Sequence, residues 1–251
     1  MTGDIYYLLA SLPALGDLGS PPPLTPAQFL ERIAGAGGNR TLVEAIFLSD
    51  DLLQWQAFHS KEKDQMDFAV LTPAQTWDEE PFTNYLESLP QKNAPRSVID
   101  TLIAPKEASP RPVMDIIWEA YFRYAASVAR AQGSEFLASW VQYEVSLKNA
   151  LAVARAKALN LDPREYEVAR DLGGDESGFS SLINEWSVAS NPLDGLRALD
   201  GSRWKWLNEN DAWFTFGDDE LAAYAAKLVL LQRWNRLSGK ISSQAEVTQG
   251  V

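Results

Sequence analysis

The chain has no cysteine and a single histidine in 251 residues. The first absence excludes disulfides, thiolate metal sites and cysteine nucleophiles. The second leaves His59 as the sole imidazole, ahead of a charged run at 61–67 and with no evident nucleophile to serve. A Ser-His-Asp triad would have to use it, yet no GxSxG turn exists to present a serine. No phosphate-cradling P-loop is present. The GAGG run at 35–38 lacks the spacing of a dinucleotide fingerprint and reads as a helix stop. Cations are also scarce: 22 Lys and Arg stand against 34 Asp and Glu, a net charge of −12. Such a chain is poorly suited to neutralising nucleic-acid phosphates or to adhering to anionic lipid. No apolar run approaches the ~20 residues of a membrane span. The opening MTGDIYYLLASLPAL lacks the basic flank of a signal peptide, so a cytoplasmic compartment is expected.

What is present is helical pattern and aromatic side chains. Hydrophobic residues make up 46% and charged residues 22%, ordinary for a globular protein, but nine tryptophans, mostly in the second half, are not. The chain is organised around 134–162. There Phe136, Trp140, Tyr143, Leu147, Leu151, Ala154, Ala158 and Leu161 recur at steps of three and four, one stripe of a helix. Gly133 can close the preceding helix, Ser134 can cap this one, and Asp162-Pro163 supplies a stop.

Taken in order, 5–11 is either a short strand or the first helical turns, and 16–26 is a proline-rich loop. Thr25-Pro26 reads as the cap and first residue of a helix that ends at 35–38, and another helix spans 40–58. Asp50-Asp51 is read as a restart of that helix. Helix starts are expected at Thr72-Pro73 and Glu80-Pro81, and 90–112 is the expected boundary between two halves. The pattern predicts a helix over 113–132, short helices over 179–186 and 192–199, a turn at Asp200-Gly201-Ser202, and a helix opening at Arg203. A last helix is expected over 219–237, stopped by Ser238-Gly239. No strand-type alternation is sustained. The expected fold is all-α, with halves at 1–95 and 110–240 forming one continuous unit and a disordered tail at 241–251.

Carboxylate pairs at Asp50-Asp51, Glu79-Glu80 and Asp218-Asp219-Glu220 each fall at an expected helix start, where they complement the macrodipole. They therefore call for no two-carboxylate hydrolase or metal site, and no catalytic residue, cofactor or metal is expected.

The run Asn149-Ala-Leu-Ala-Val-Ala-Arg155-Ala-Lys157, followed by Asn160-Leu161, resembles the Asn-Ile-Lys-Thr-Ile-Leu-Arg-Ala-Lys helix of the C-type subunit family of V/A-type ATPases, whose eukaryotic members are the d-type subunits. It departs at Leu151, where the family is basic, and at Ser146, where the family is acidic; Glu144 is the nearest acid, on a different face. The stretch from Phe216 through Tyr224, Lys227, Arg233, Trp234, Asn235 and Arg236 is similar to that family's last repeat. The opening Tyr6-Tyr7-Leu8-Leu9-Ala10-Ser11-Leu12-Pro13 resembles bacterial proteins of unassigned function encoded beside V-type ATPase subunits. These segments cover about a third of the chain.

The resemblance implies an elongated or funnel-like helical bundle with pseudo-repeats. It also implies a non-catalytic subunit joining the central stalk to the membrane proteolipid ring, peripheral on the cytoplasmic face. Its partner-binding residues would be Asn149, Arg155, Lys157, Arg233, Trp234, Asn235 and Arg236, of which Arg155, Lys157, Arg233 and Arg236 would line a shared polar surface or else pair with the ends of adjacent helices. The alternatives are a cytosolic helical adaptor holding a protein or peptide in an aromatic groove and, from another class, an enzyme using His59 with a carboxylate.

Overall fold

The computed structural model describes residues 2–60, 70 and 113–249. Among these residues the protein is all-α, with eight helices, three 3-10 turns and no strand. The expected helix starts at Thr72 and Glu80 and the expected boundary at 90–112 lie outside the described residues, as does the side chain of His59.

The N-terminal segment is helical: α1 spans Thr2–Ser11 and buries Leu8. The loop after it is pinned to the far end of the chain, because Tyr224 donates its hydroxyl to the Pro13 carbonyl at 2.9 Å and Gln232 donates to that of Leu24 at 3.2 Å. Helix α2 (Pro26–Ala36) starts on a capping box, with the Thr25 hydroxyl accepting from the Gln28 amide and the Gln28 side chain accepting from that of Thr25. Gly37, at φ 70°, ends it in the left-handed region that glycine enters without strain.

Helix α3 (Arg40–His59) buries Leu42, Ile46, Phe47, Leu52 and Trp55. It does not restart at Asp50-Asp51. Both carboxylates sit inside the helix and are buried, so the macrodipole reading of this pair is wrong. Asp50 accepts from Arg236 of the last helix at 2.5 Å, and Asp51 accepts the Val70 amide at 2.9 Å. Buried charges are tolerated where such partners meet them.

Helices α4 (Val113–Gln132) and α5 (Glu135–Ala158) form a hairpin with almost no linker. Gly133 turns at φ 67°, and the Ser134 amide donates back to the Ala129 carbonyl at 2.9 Å, the long-range bond of a Schellman ending. Ser134 then caps α5 by accepting the Leu137 amide, while its hydroxyl donates to Asp219. The expected stripe is present at Phe136, Trp140 and Leu147, but Val141, Val145 and Ala150 are buried as well, so the buried face is wider than that stripe and leaves Glu135, Ala138, Ser139 and Gln142 exposed. The helix ends at Ala158, short of Asp162-Pro163. Asn160 takes φ 57°, and the amides of Asn160 and Leu161 return to Lys157 and Ala156, a second Schellman ending with asparagine in place of glycine.

Residues 159–179 wrap α5 through three 3-10 turns. Helix α6 (Ser180–Ser187) follows. Helix α7 (Pro192–Glu209) then runs unbroken through the expected turn at Asp200-Gly201-Ser202, because Asp200 is a core residue there rather than a turn former. Helix α8 spans Asp218–Gln249 and touches α1, α2, α3, α5 and α7. Its backbone continues past Ser238-Gly239, where a stop and a disordered tail were expected; one glycine inside a helix costs only about 1 kcal/mol relative to alanine. One hydrophobic core joins residues from Leu8 to Leu230. Among the described residues no helix is long and apolar enough to cross a membrane.

Candidate functional site

Asp200 is fully buried where α5, α7 and α8 meet, and three donors converge on it. Arg203 and Arg233 reach one carboxylate oxygen at 3.0 and 3.2 Å, and the Trp234 indole reaches the other at 3.1 Å. Arg203 also grips Glu144 of α5 with two nitrogens, at 2.7 and 3.0 Å, the fork-on-carboxylate geometry in which arginine binds best. Burial works against charge on Arg203, but Glu144 and Asp200 outweigh it and its pKa is raised. At Arg233 burial wins over Asp200, with Arg203 repelling it further, and the pKa falls. The two arginines thus share one acid unequally.

Beside this network lies a cleft of about 490 Å3, walled by α3, α4, α5, α7 and α8. Its surface is mainly apolar and aromatic, including Trp118, Tyr121, Phe122 and Trp140, with Lys148, Arg155, Arg203 and Arg233 among the polar groups. Burial pushes the Lys148 ammonium down from its ordinary pKa, opposed by Asp115, and Lys148 sits over the Trp118 ring at 4.9 Å. Arg155 lies over Trp186 at 5.1 Å.

A second feature faces outward. Tyr6 and Tyr7 of α1 and Trp213, Phe214 and Phe216 of the α7–α8 connection are between 40% and 73% exposed. They are one patch: Tyr6 meets Phe216 at 4.9 Å, Phe216 meets Phe214 at 6.0 Å, and Phe214 meets Trp213 at 5.4 Å. The connection holds Ala212, Phe214 and Phe216 at φ 53°, 64° and 51°, left-handed conformations costing L-residues on the order of 1–2 kcal/mol each. Hydrogen bonds keep it there, from the Trp213 amide to Asp211 and from the Phe216 amide to Glu220. Residues 209–220 carry Glu209, Asp211, Asp218, Asp219 and Glu220 and no Lys or Arg; Lys227 pairs with Asp211 at 3.0 Å.

Residues 2–245 match a family described as "Protein of unknown function (DUF2764)". The chain belongs to this family. No curated protein and no solved structure matches it.

The seven residues expected to bind a partner do not form one surface. Asn149 is buried, with its amide bonded both ways to the Val168 backbone at 2.9 Å, and so ties 159–179 to α5. Trp234 is buried on Asp200, and Arg236 is held by Asp50. Arg155, itself exposed, and the half-buried Arg233 line the same cleft, and Lys157 and Asn235 are exposed outside it. Sequence reasoning missed Asp200, Glu144, Arg203 and Lys148. A signal existed: Leu199, Asp200, Arg203 and Leu207 fall on one helical face, which the assumed turn cut in two. Among the described residues no group of three or more His, Asp or Glu side chains is placed to hold a metal.

Proposed function

We propose that this protein is a non-catalytic coupling subunit of a V/A-type rotary ATPase, joining the central stalk to the proteolipid ring on the cytoplasmic face. The resemblance of three segments to the C-type subunits and to proteins encoded beside such ATPases supports the choice of partners. The observation that carries the binding role is the aromatic patch on α1 and the α7–α8 connection. Contiguous exposed rings on a left-handed backbone are unfavourable for an isolated chain, and such features concentrate at interaction sites. Aromatic side chains also dominate the energetics of protein interfaces.

The segment 209–220, acidic and without Lys or Arg, favours a partner with an apolar centre rimmed by Lys or Arg. An acidic chain then attaches to the membrane assembly through protein contacts rather than lipid. The resemblance residues Asn149, Trp234 and Arg236 serve internal packing in this reading, so the shared motif marks the fold and the exposed rings mark the interface.

Size-exclusion chromatography with light scattering, on the full chain mixed with the central-stalk and ring subunits of the same source, tests this. A stoichiometric complex is expected, weakened about 30-fold or more by Phe214→Ser, the loss of roughly 2 kcal/mol typical of a central ring. No complex with either set of subunits, from a chain whose circular dichroism is helical, sinks the coupling role and leaves the helical adaptor.

A further inference from the structure

The cleft beside the Asp200 network shares no residue with the aromatic patch, and it has the makings of a ligand site. Its volume of about 490 Å3 is that of a small-molecule pocket, typically ~300–1,000 Å3 and apolar with a few placed polar groups. The charge on its walls is uneven. Lys148, Arg155, Arg203 and Arg233 line it, opposed by Glu144 and Asp115 on the wall and by Asp200 behind it. Arg203 occupies both oxygens of Glu144, and Asp200 is divided between two arginines. Lys148 and Arg155 rest on indole rings instead. A chain with a net charge of −12 has thus gathered four cations against three carboxylates around an apolar hollow.

We propose that this cleft binds one amphiphilic anion, an acyl-type chain ending in a carboxylate or phosphate, with its head between Lys148 and Arg155 and its tail along Trp118, Phe122, Leu151 and Val229. Lys148 and Arg155 are seven residues apart on α5, close to two full turns, so they share a face about 10 Å apart. A head placed between them accepts from both, and Arg203 lies within electrostatic reach of Lys148 behind it. An anion there compensates the burial that now disfavours the Lys148 charge. The tail fits: at a methylene volume close to that of water, about 30 Å3, twelve carbons fill about 360 Å3. Neither the aromatic patch nor any protein partner takes part, so this binding is independent of the coupling role.

The test uses the full chain with sodium dodecanoate and with monododecyl phosphate, both below micelle formation, and with dodecanol as the uncharged control. Tryptophan fluorescence reports occupancy through Trp118 and Trp140, and native mass spectrometry reports stoichiometry. One anion per chain is expected, bound at least tenfold more tightly than dodecanol, with Lys148→Met removing that advantage and leaving dodecanol unchanged. Leu196→Trp, which fills the cleft and leaves the cations in place, should abolish both. Equal binding of dodecanol, indifference of a helical Lys148→Met chain, several anions per chain, or none, each overturns the proposal. So does flotation on phosphatidylglycerol vesicles that Lys148→Met abolishes, which would assign the charge to a membrane surface instead.

Discussion

Asp200 is the residue whose loss the fold should feel most. Its carboxylate is wholly buried and is the common acceptor of Arg203, Arg233 and Trp234. Replacing a buried ion pair with a matched apolar set can be neutral, but removing one partner strands charge in the interior and costs about 3–5 kcal/mol. Asp200→Ala leaves Arg203 with Glu144 alone and takes from Arg233 the carboxylate it pairs with, so its urea midpoint should fall by that equivalent. Lys205→Ala breaks the exposed pair with Glu209 at 3.9 Å, on the same helix, and should shift stability by less than about 1 kcal/mol. Equal midpoints for the two variants would show that the network contributes nothing. This acid was misread in the sequence for a specific reason. Asp-Gly-Ser is turn chemistry when read locally, and only Arg203, Arg233 and Trp234 in place make an aspartate acceptable in a helix interior.

At the scale of elements, local chemistry read well wherever a helix end is decided by its own few residues. Thr25-Pro26 and Ser134 cap as expected, and Gly37 and Gly133 end helices in the left-handed region. Reading failed where tertiary contacts override the local signal, as at Asp50-Asp51 inside α3, and at Gly239, where the backbone of α8 continues through a residue that only weakly disfavours it. The Gly133-Ser134 joint carries a prediction. A Cβ at Gly133 meets nothing within 4 Å, so its only obstacle is the backbone at φ 67°. Gly133→Ala should therefore destabilise the chain by about 1–2 kcal/mol through conformation alone. Gly133→Asn, a residue that tolerates this region, should recover much of the loss. The measurement is the denaturation midpoint of the two variants; equal losses in both would mean that something other than the left-handed turn is at work.

Over the whole molecule, the two halves expected on either side of 90–112 share one core. Residues of α3 such as Leu42, Ile46 and Phe47 belong to the same cluster as Tyr121 of α4 and Leu221 and Leu228 of α8. Polar ties run the same way. Asp218 accepts the Asn39 amide at 3.1 Å, Tyr121 donates to the Ala45 carbonyl at 3.1 Å, and Arg236 reaches Asp50. Helix α8 is thus as much a part of the N-terminal segment as of its own half. Removing α1–α3 would expose the apolar faces of α4 and α8 to water, each large side chain forfeiting about 1.5–3 kcal/mol of burial against a net stability of only about 5–15 kcal/mol. The fragment 113–251 should therefore lack a cooperative thermal transition and should bind a hydrophobic dye, although its isolated helices keep some far-ultraviolet signal. The intact chain should unfold once, with tryptophan fluorescence and circular dichroism coincident. A cooperative melt of the fragment would show that the second half carries a core of its own. Leu221 and Leu228 would then owe their burial to docking between two folding units rather than to a core assembled from both ends of the chain.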